Sequence, residues 1–165
     1  MGDNTIITES GTFIDGNKAN PILNKTLTTP IVSAITTPVK ISEWDFNAVA
    51  GKSYLVKIVG THQAGVASTG ISLGIGGSAR CTVSGVIRGS VDSTAVDTEL
   101  AITANSMTAT LTTTGVSPIN TNHYNSLDIV FMCNLSGDVF FTFASSRAAR
   151  TAIYNAGSTI IVKEL

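Results

Sequence analysis

Apolar and polar residues alternate through most of the chain from residue 38 onwards. The clearest alternating sets are Ile71, Leu73 and Ile75; Ala79, Cys81 and Val83; Leu127, Ile129, Phe131 and Cys133; and Val139, Phe141 and Phe143. A period of two indicates β-strands with one buried face and one solvated face. Turn signals separate these runs at intervals of about 8–12 residues, which is typical of an all-β sandwich or barrel. The pattern therefore predicts eight or nine strands and no helix.

The order of short hairpins and longer crossovers favours a jelly-roll-like antiparallel β-sandwich over residues 38–165. In the run from Val39 to Phe46, the apolar parity switches near Ser42 and Glu43, which indicates a bulge or a bend. An immunoglobulin-like sandwich is the alternative. That fold places a tryptophan between two cysteines, whereas Trp44 precedes both cysteines of this chain.

Residues 1–37 form a different segment, with prolines and with apolar residues that occur only singly or in pairs. Proline restricts the backbone to extended geometry, so the segment is predicted to be an extended N-terminal arm. A simple linker would lack these apolar side chains, which we expect to contact a partner surface. The predicted partner-binding residues of the arm are Ile6, Ile7, Phe13, Ile14, Ile22, Leu23, Leu27, Ile31, Val32 and Ile35. In the alternative interpretation, the later part of the segment packs on its own domain.

Composition narrows the choice of partner. Charged residues make up 13% of the chain and the net charge is −1, so there is no basic surface typical of nucleic-acid binding. No apolar segment reaches the ~18 residues of a membrane-spanning helix, and no membrane association is expected. The sequence thus favours neither a nucleic-acid protein nor a membrane protein.

The sequence contains few candidates for catalytic or metal-binding residues. His62 and His123 stand apart from other metal ligands and are predicted to lie at the surface. Cys81 and Cys133 occupy alternating apolar positions and are predicted to be core residues rather than nucleophiles. With no catalytic, metal or cofactor set in the sequence, we expect a structural or binding protein and no enzyme activity.

Several strands carry apolar residues on both parities, as in the runs 54–59 and 129–132. A soluble monomer rarely exposes a large contiguous apolar area. The second face should therefore be covered by a neighbouring subunit or by the arm, and a homo-oligomer with cyclic symmetry is expected.

Three short motifs carry a resemblance to a known group of proteins. They are W-D-F-N-A-V-A-G-K-S-Y from Trp44, T-G-I-S-L-G-I-G-G from Thr69, and A-G-S-T-I-I-V-K-E-L at the carboxyl terminus. Over residues 44–165 the chain resembles the jelly-roll-like β-domain of tailed-bacteriophage virion proteins, which form capsid decorations or fibre tips. The resemblance does not extend to the arm. It implies a homotrimer on the virion, made in the host cytoplasm, with no catalysis and no cofactor.

Two functions follow from that resemblance. In the first, the chain is a capsid decoration (cement) protein that binds the major capsid protein on the outer surface of the head. In the alternative, it is a tail-fibre or spike tip that binds a host-surface glycan. A depolymerase would need paired carboxylates at short range, and the acidic residues are scattered along the chain.

Overall fold

In the computed structural model, backbone structure is described for residues 5–7, 13–15, 21–89, 98–104, 110–112 and 119–165, and side chains for 21–85 and 119–165. These residues form strands, turns and loops, without a helix. No helix in this part of the chain is therefore long and apolar enough to cross a membrane.

Fourteen strands are present in the described residues. Their bounds are β1 Thr5–Ile7, β2 Phe13–Asp15, β3 Pro21–Thr26, β4 Ile31–Ser33, β5 Val39–Ala48, β6 Ser53–Ala64, β7 Ile71–Gly77, β8 Arg80–Gly89, β9 Thr98–Ala104, β10 Thr110–Thr112, β11 His123–Leu135, β12 Gly137–Ser145, β13 Ala152–Tyr154 and β14 Thr159–Glu164. Strands β1 and β2 pair with each other as a separate two-stranded sheet.

The remaining strands form two antiparallel sheets. The smaller sheet has the order β10-β7-β12-β5, and the larger sheet has the order β3-β14-β6-β11-β8-β9. From β5 to β12 the chain crosses repeatedly between the sheets, with four strands in each. This arrangement is the eight-stranded jelly roll, and it confirms the predicted fold class.

Two further rows of strands extend the larger sheet beyond β6. Strands β13 and β14 both pair with β6, and β4 and β3 pair in turn with β13 and β14. Between β3 and β4, the Leu27 amide donates to the Ser158 carbonyl oxygen at 2.8 Å, and the Gly157 amide donates to the Leu27 carbonyl oxygen at 2.9 Å. Residues 21–33 of the predicted arm are thus paired with the carboxyl-terminal strands of their own chain.

The core lies between the two sheets and is rich in aromatic side chains. Trp44 meets Tyr154 edge-on, with the ring centroids 5.8 Å apart, and Tyr54 stacks on Phe131 at 5.1 Å. In β5 the buried positions Ile41 and Trp44 are three residues apart, and the register with β12 shifts at this point. The bulge or bend predicted near Ser42 and Glu43 is therefore confirmed as an irregularity in the pairing of β5 with β12.

Candidate interaction surfaces and a buried polar cluster

The structure divides the predicted arm residues between the core and the surface. Leu27 is 3% exposed and belongs to the core, and Leu23 and Ile31 are partly buried against it. Ile22, Val32 and Ile35 are exposed, with Val32 the most open at 61%. Ile6, Ile7, Phe13 and Ile14 lie in β1 and β2, but their side chains are outside the described residues. Binding of a partner by the arm stays a prediction.

The loop after β4 holds the end of the arm against the sandwich. The Ser145 amide donates to the Ile35 carbonyl oxygen at 3.0 Å, and the Ala149 amide donates to the Ala34 carbonyl oxygen at 2.8 Å. Ile35 is therefore held on a backbone tied to the loop after β12, while its side chain remains exposed.

The outward-facing side of the larger sheet carries a second set of exposed apolar residues. We define the outer face as the outward side of β14, β6, β11 and β8. Its apolar members on β6, β11 and β14 are Leu55, Val59, Tyr124, Val130, Met132 and Ile161. Leu55 and Ile161 are half-buried, and Met132 is 59% exposed. The apolar surplus noted in the sequence thus lies partly on an uncovered sheet surface.

One ion pair lies within this outer face. Lys57 and Asp128 are direct cross-strand partners, and Lys57 Nζ lies 3.6 Å from Asp128 Oδ1. Both side chains keep substantial solvent contact. An exposed pair of this kind contributes little to stability.

The two histidines are buried, although their sequence context predicts surface positions. His62 is 0% exposed and His123 is 3% exposed, and they are direct cross-strand partners on β6 and β11. The prediction of surface histidines is wrong, because the alternation of β6 continues beyond the expected strand end. Gly60, His62 and Ala64 share the inward parity of Val56 and Ile58, and that signal could have identified His62 as buried.

A chain of hydrogen bonds orients His62. The Tyr154 hydroxyl donates to Asn125 Oδ1 at 2.9 Å, which leaves the Asn125 amide group to donate to His62 Nδ1 at 3.1 Å. In the neutral ring the proton is therefore on Nε2, which has no hydrogen-bond partner among the described residues. Burial, with a smaller contribution from His123, lowers the pKa of His62 to about 4. Burial also raises the pKa of Tyr154.

The two cysteines are paired across neighbouring strands. Cys81 on β8 lies directly opposite Cys133 on β11, and both are free and buried, so the predicted core position is confirmed. Burial, with smaller contributions from the neighbouring Cys133, raises the pKa of Cys81 to about 12. The reactive thiolate is therefore strongly disfavoured.

Acidic residues gather at one end of the β5 edge of the sandwich. Asp45, Phe46, Asn47 and Asp138 line a shallow pocket there. Asp45 Oδ2 accepts from Lys40 Nζ at 2.8 Å, and Asp138 accepts from the Ser78 hydroxyl and amide. Those hydrogen bonds from Ser78 lower the pKa of Asp138. Among the described residues, no group of three or more His, Cys, Asp or Glu side chains could hold a metal ion.

No protein-family model matches the chain, and no curated protein matches it. Two weak structural neighbours both come from infectious bursal disease virus. The VP2 subviral particle aligns with 98% of this chain and 45% of its own, at 10% identity and a TM-score of 0.25. The Gx strain structure aligns with 96% of this chain and 43% of its own, at 13% identity and a TM-score of 0.26. The chain spans less than half the length of either neighbour.

Proposed function

We propose that this protein is a bacteriophage capsid decoration protein. It binds the major capsid protein on the outer surface of the head as a homo-oligomer, and it stabilises the shell through its sandwich and its N-terminal arm. The observation that carries the proposal is the set of apolar residues that the fold leaves exposed, on the outer face and along the arm. The phage context of the proposal comes from the resemblance of residues 44–165 to virion proteins of tailed bacteriophages.

The division of the arm suits attachment to a large surface. Core packing of Leu27 anchors the segment, while Ile22, Val32 and Ile35 remain available for contact. Apolar side chains on a rigid sheet edge bind with little loss of conformational entropy. In an oligomer the same weak contact is repeated, and linked contacts raise the overall affinity well above that of one arm.

The number of copies per virion tests the location. Quantitative mass spectrometry against the major capsid protein is expected to give a simple integer ratio to the shell subunit. A few copies per particle would contradict the decoration proposal and would favour a tail component.

A pair of matched variants tests the arm. Val32→Asp, in β4, is expected to weaken binding to undecorated capsids at least tenfold, because a charge would replace an apolar contact. Val49→Asp is the control, since Val49 is similarly exposed but lies in the turn before β6. Equal binding by the two variants in a capsid co-sedimentation assay would rule out the contact at Val32.

The pocket at β5 supports a second candidate, a tail-fibre tip that binds a host glycan. Asn47 and Asp138 supply polar groups there, beside the partly buried Phe46. If the copy number is low, binding to a glycan array that is lost in Asn47→Ala would support this alternative.

A further inference from the structure

The outer face of the larger sheet has the size of a protein–protein interface. Strands β6 and β11, of 12 and 13 residues, lie at its centre, with β14 and β8 on either side. Strand β8 has 10 residues and β14 has 6. With a spacing of about 4.8 Å between strands and a rise of about 3.3 Å per residue, the four strands together cover on the order of 650 Å². A stable interface buries about 800 Å² on each partner, so this face alone is close to sufficient.

The charges near the centre of the face also suit burial. Lys57 and Asp128 face each other across β6 and β11, and Leu55 faces Val130 in the next outward row. A partner that covers this region must match one positive and one negative charge placed side by side. A second copy of the same face does so when it is turned over, because each lysine then lies above the other copy's aspartate.

We propose that the outer face packs against the same face of a second copy, about a two-fold axis that runs along the strands between β6 and β11. Each β6 residue then lies over the position of its own β11 partner in the other copy. Lys57 meets Asp128 of the partner, and Leu55 meets the partner's Val130. The two sheets pack face to face in nearly aligned directions, as the sheets of a sandwich do.

This inference rests on the self-association in the proposed function and refines it. A two-fold contact joins copies in pairs, whereas the resemblance implies a trimer. The molecular mass of the purified full-length protein, by light scattering or native mass spectrometry, therefore decides between them. A dimer supports the inference, and a monomer or a trimer overturns it.

A matched pair of substitutions tests the face itself. Val130→Lys places like charges near the axis and is expected to weaken self-association at least tenfold. Val39→Lys is the control, because Val39 lies on β5 of the smaller sheet with 44% exposure, close to the 40% of Val130. Circular dichroism of both variants checks that they fold. An unchanged dimer in Val130→Lys would overturn the inference.

Reversing one charge in each of two chains tests the two-fold symmetry directly. Lys57→Glu and Asp128→Lys, in separate chains, each place like charges opposite one another across the two-fold axis, so each chain alone is expected to be monomeric. An equimolar mixture is expected to form a mixed dimer, because opposite charges then meet at both positions. If the equimolar mixture forms no dimer, the two-fold arrangement is wrong. This result is independent of the copy number on the virion. The proposed location on the capsid and the proposed contact between two copies are therefore tested separately.

Discussion

At the scale of single residues, the polar side chains inside the sandwich lie where β6 and β13 approach each other closely. Gly60 lies against Tyr154 and Ser158, and an added Cβ at residue 60 would clash with both side chains. The Tyr154 hydroxyl can therefore reach Asn125 and, through it, orient His62. Buried polar groups with defined partners favour one packing arrangement over others.

The low pKa of His62 predicts a loss of stability in acid. In the unfolded chain the imidazole takes up a proton near pH 6.5, whereas in the folded chain it does so only near pH 4. The contribution of neutral His62 is thus fully present above pH 6.5 and is lost as the pH falls towards 4. The loss is on the order of 3 kcal/mol over this range.

Denaturant unfolding of the wild type and His62→Gln between pH 7 and pH 4.5 measures this contribution. The difference in unfolding free energy between the two proteins is expected to shift in favour of the variant as the pH falls. The variant keeps a hydrogen-bond acceptor for Asn125 but cannot take up the proton. If the unfolding free energies of the two proteins changed in parallel with pH, the lowered pKa of His62 would be contradicted.

The buried pair Cys81 and Cys133 is expected to resist thiol reagents in the native state, because burial removes access and suppresses the thiolate. Labelling with an aromatic disulfide reagent should follow unfolding in urea. Thr82→Cys is the matched control, since Thr82 neighbours Cys81 on β8 but is exposed. Native labelling of the wild type as fast as that of the control would refute the core position.

At the scale of elements, β3 and β4 combine two roles in one short segment. They extend the larger sheet through β14 and β13, and they present apolar side chains on its outer edge. An edge strand keeps unpaired backbone groups available to another chain. The same segment can therefore be part of the fold and part of a contact surface.

This dual role predicts effects of very different size for two truncations in the segment. Leu27→Ala is expected to lower the unfolding free energy by about 2–5 kcal/mol, because it removes a buried side chain and leaves a cavity. Val32→Ala is expected to change it by less than about 0.5 kcal/mol, because Val32 is mostly exposed. Equal losses in urea unfolding would show that the segment is not divided between core and surface.

At the scale of the whole molecule, the crossing of the chain between two sheets leaves two outward surfaces of different character. The smaller sheet carries the cluster of Lys40, Asp45 and Asp138 near its β5 edge. The larger sheet carries the apolar outer face with one balanced ion pair. The proposed contact between copies uses the larger sheet, which leaves the smaller sheet and the arm free for other partners.

Prediction from the sequence succeeded where local alternation reflects burial. The positions of Phe131, Cys133 and Phe143 in the core followed from a period of two, and the parity change near Ser42 located the irregularity in β5. It failed at His62, where a polar residue occupies an inward position at the end of a strand. Polarity alone does not reveal burial when the hydrogen-bond partners, here Asn125 and Tyr154, come from distant parts of the chain.

The sequence by itself determined the fold class, the approximate strands and the presence of more apolar surface than one core needs. These properties depend on local periodicity and composition, which are readable along the chain. Only the tertiary structure decided which strands are neighbours, that residues 21–33 join the larger sheet, and that Lys57 lies beside Asp128. Such pairings join residues far apart in sequence, and the competition among all possible strand pairings leaves no local signal.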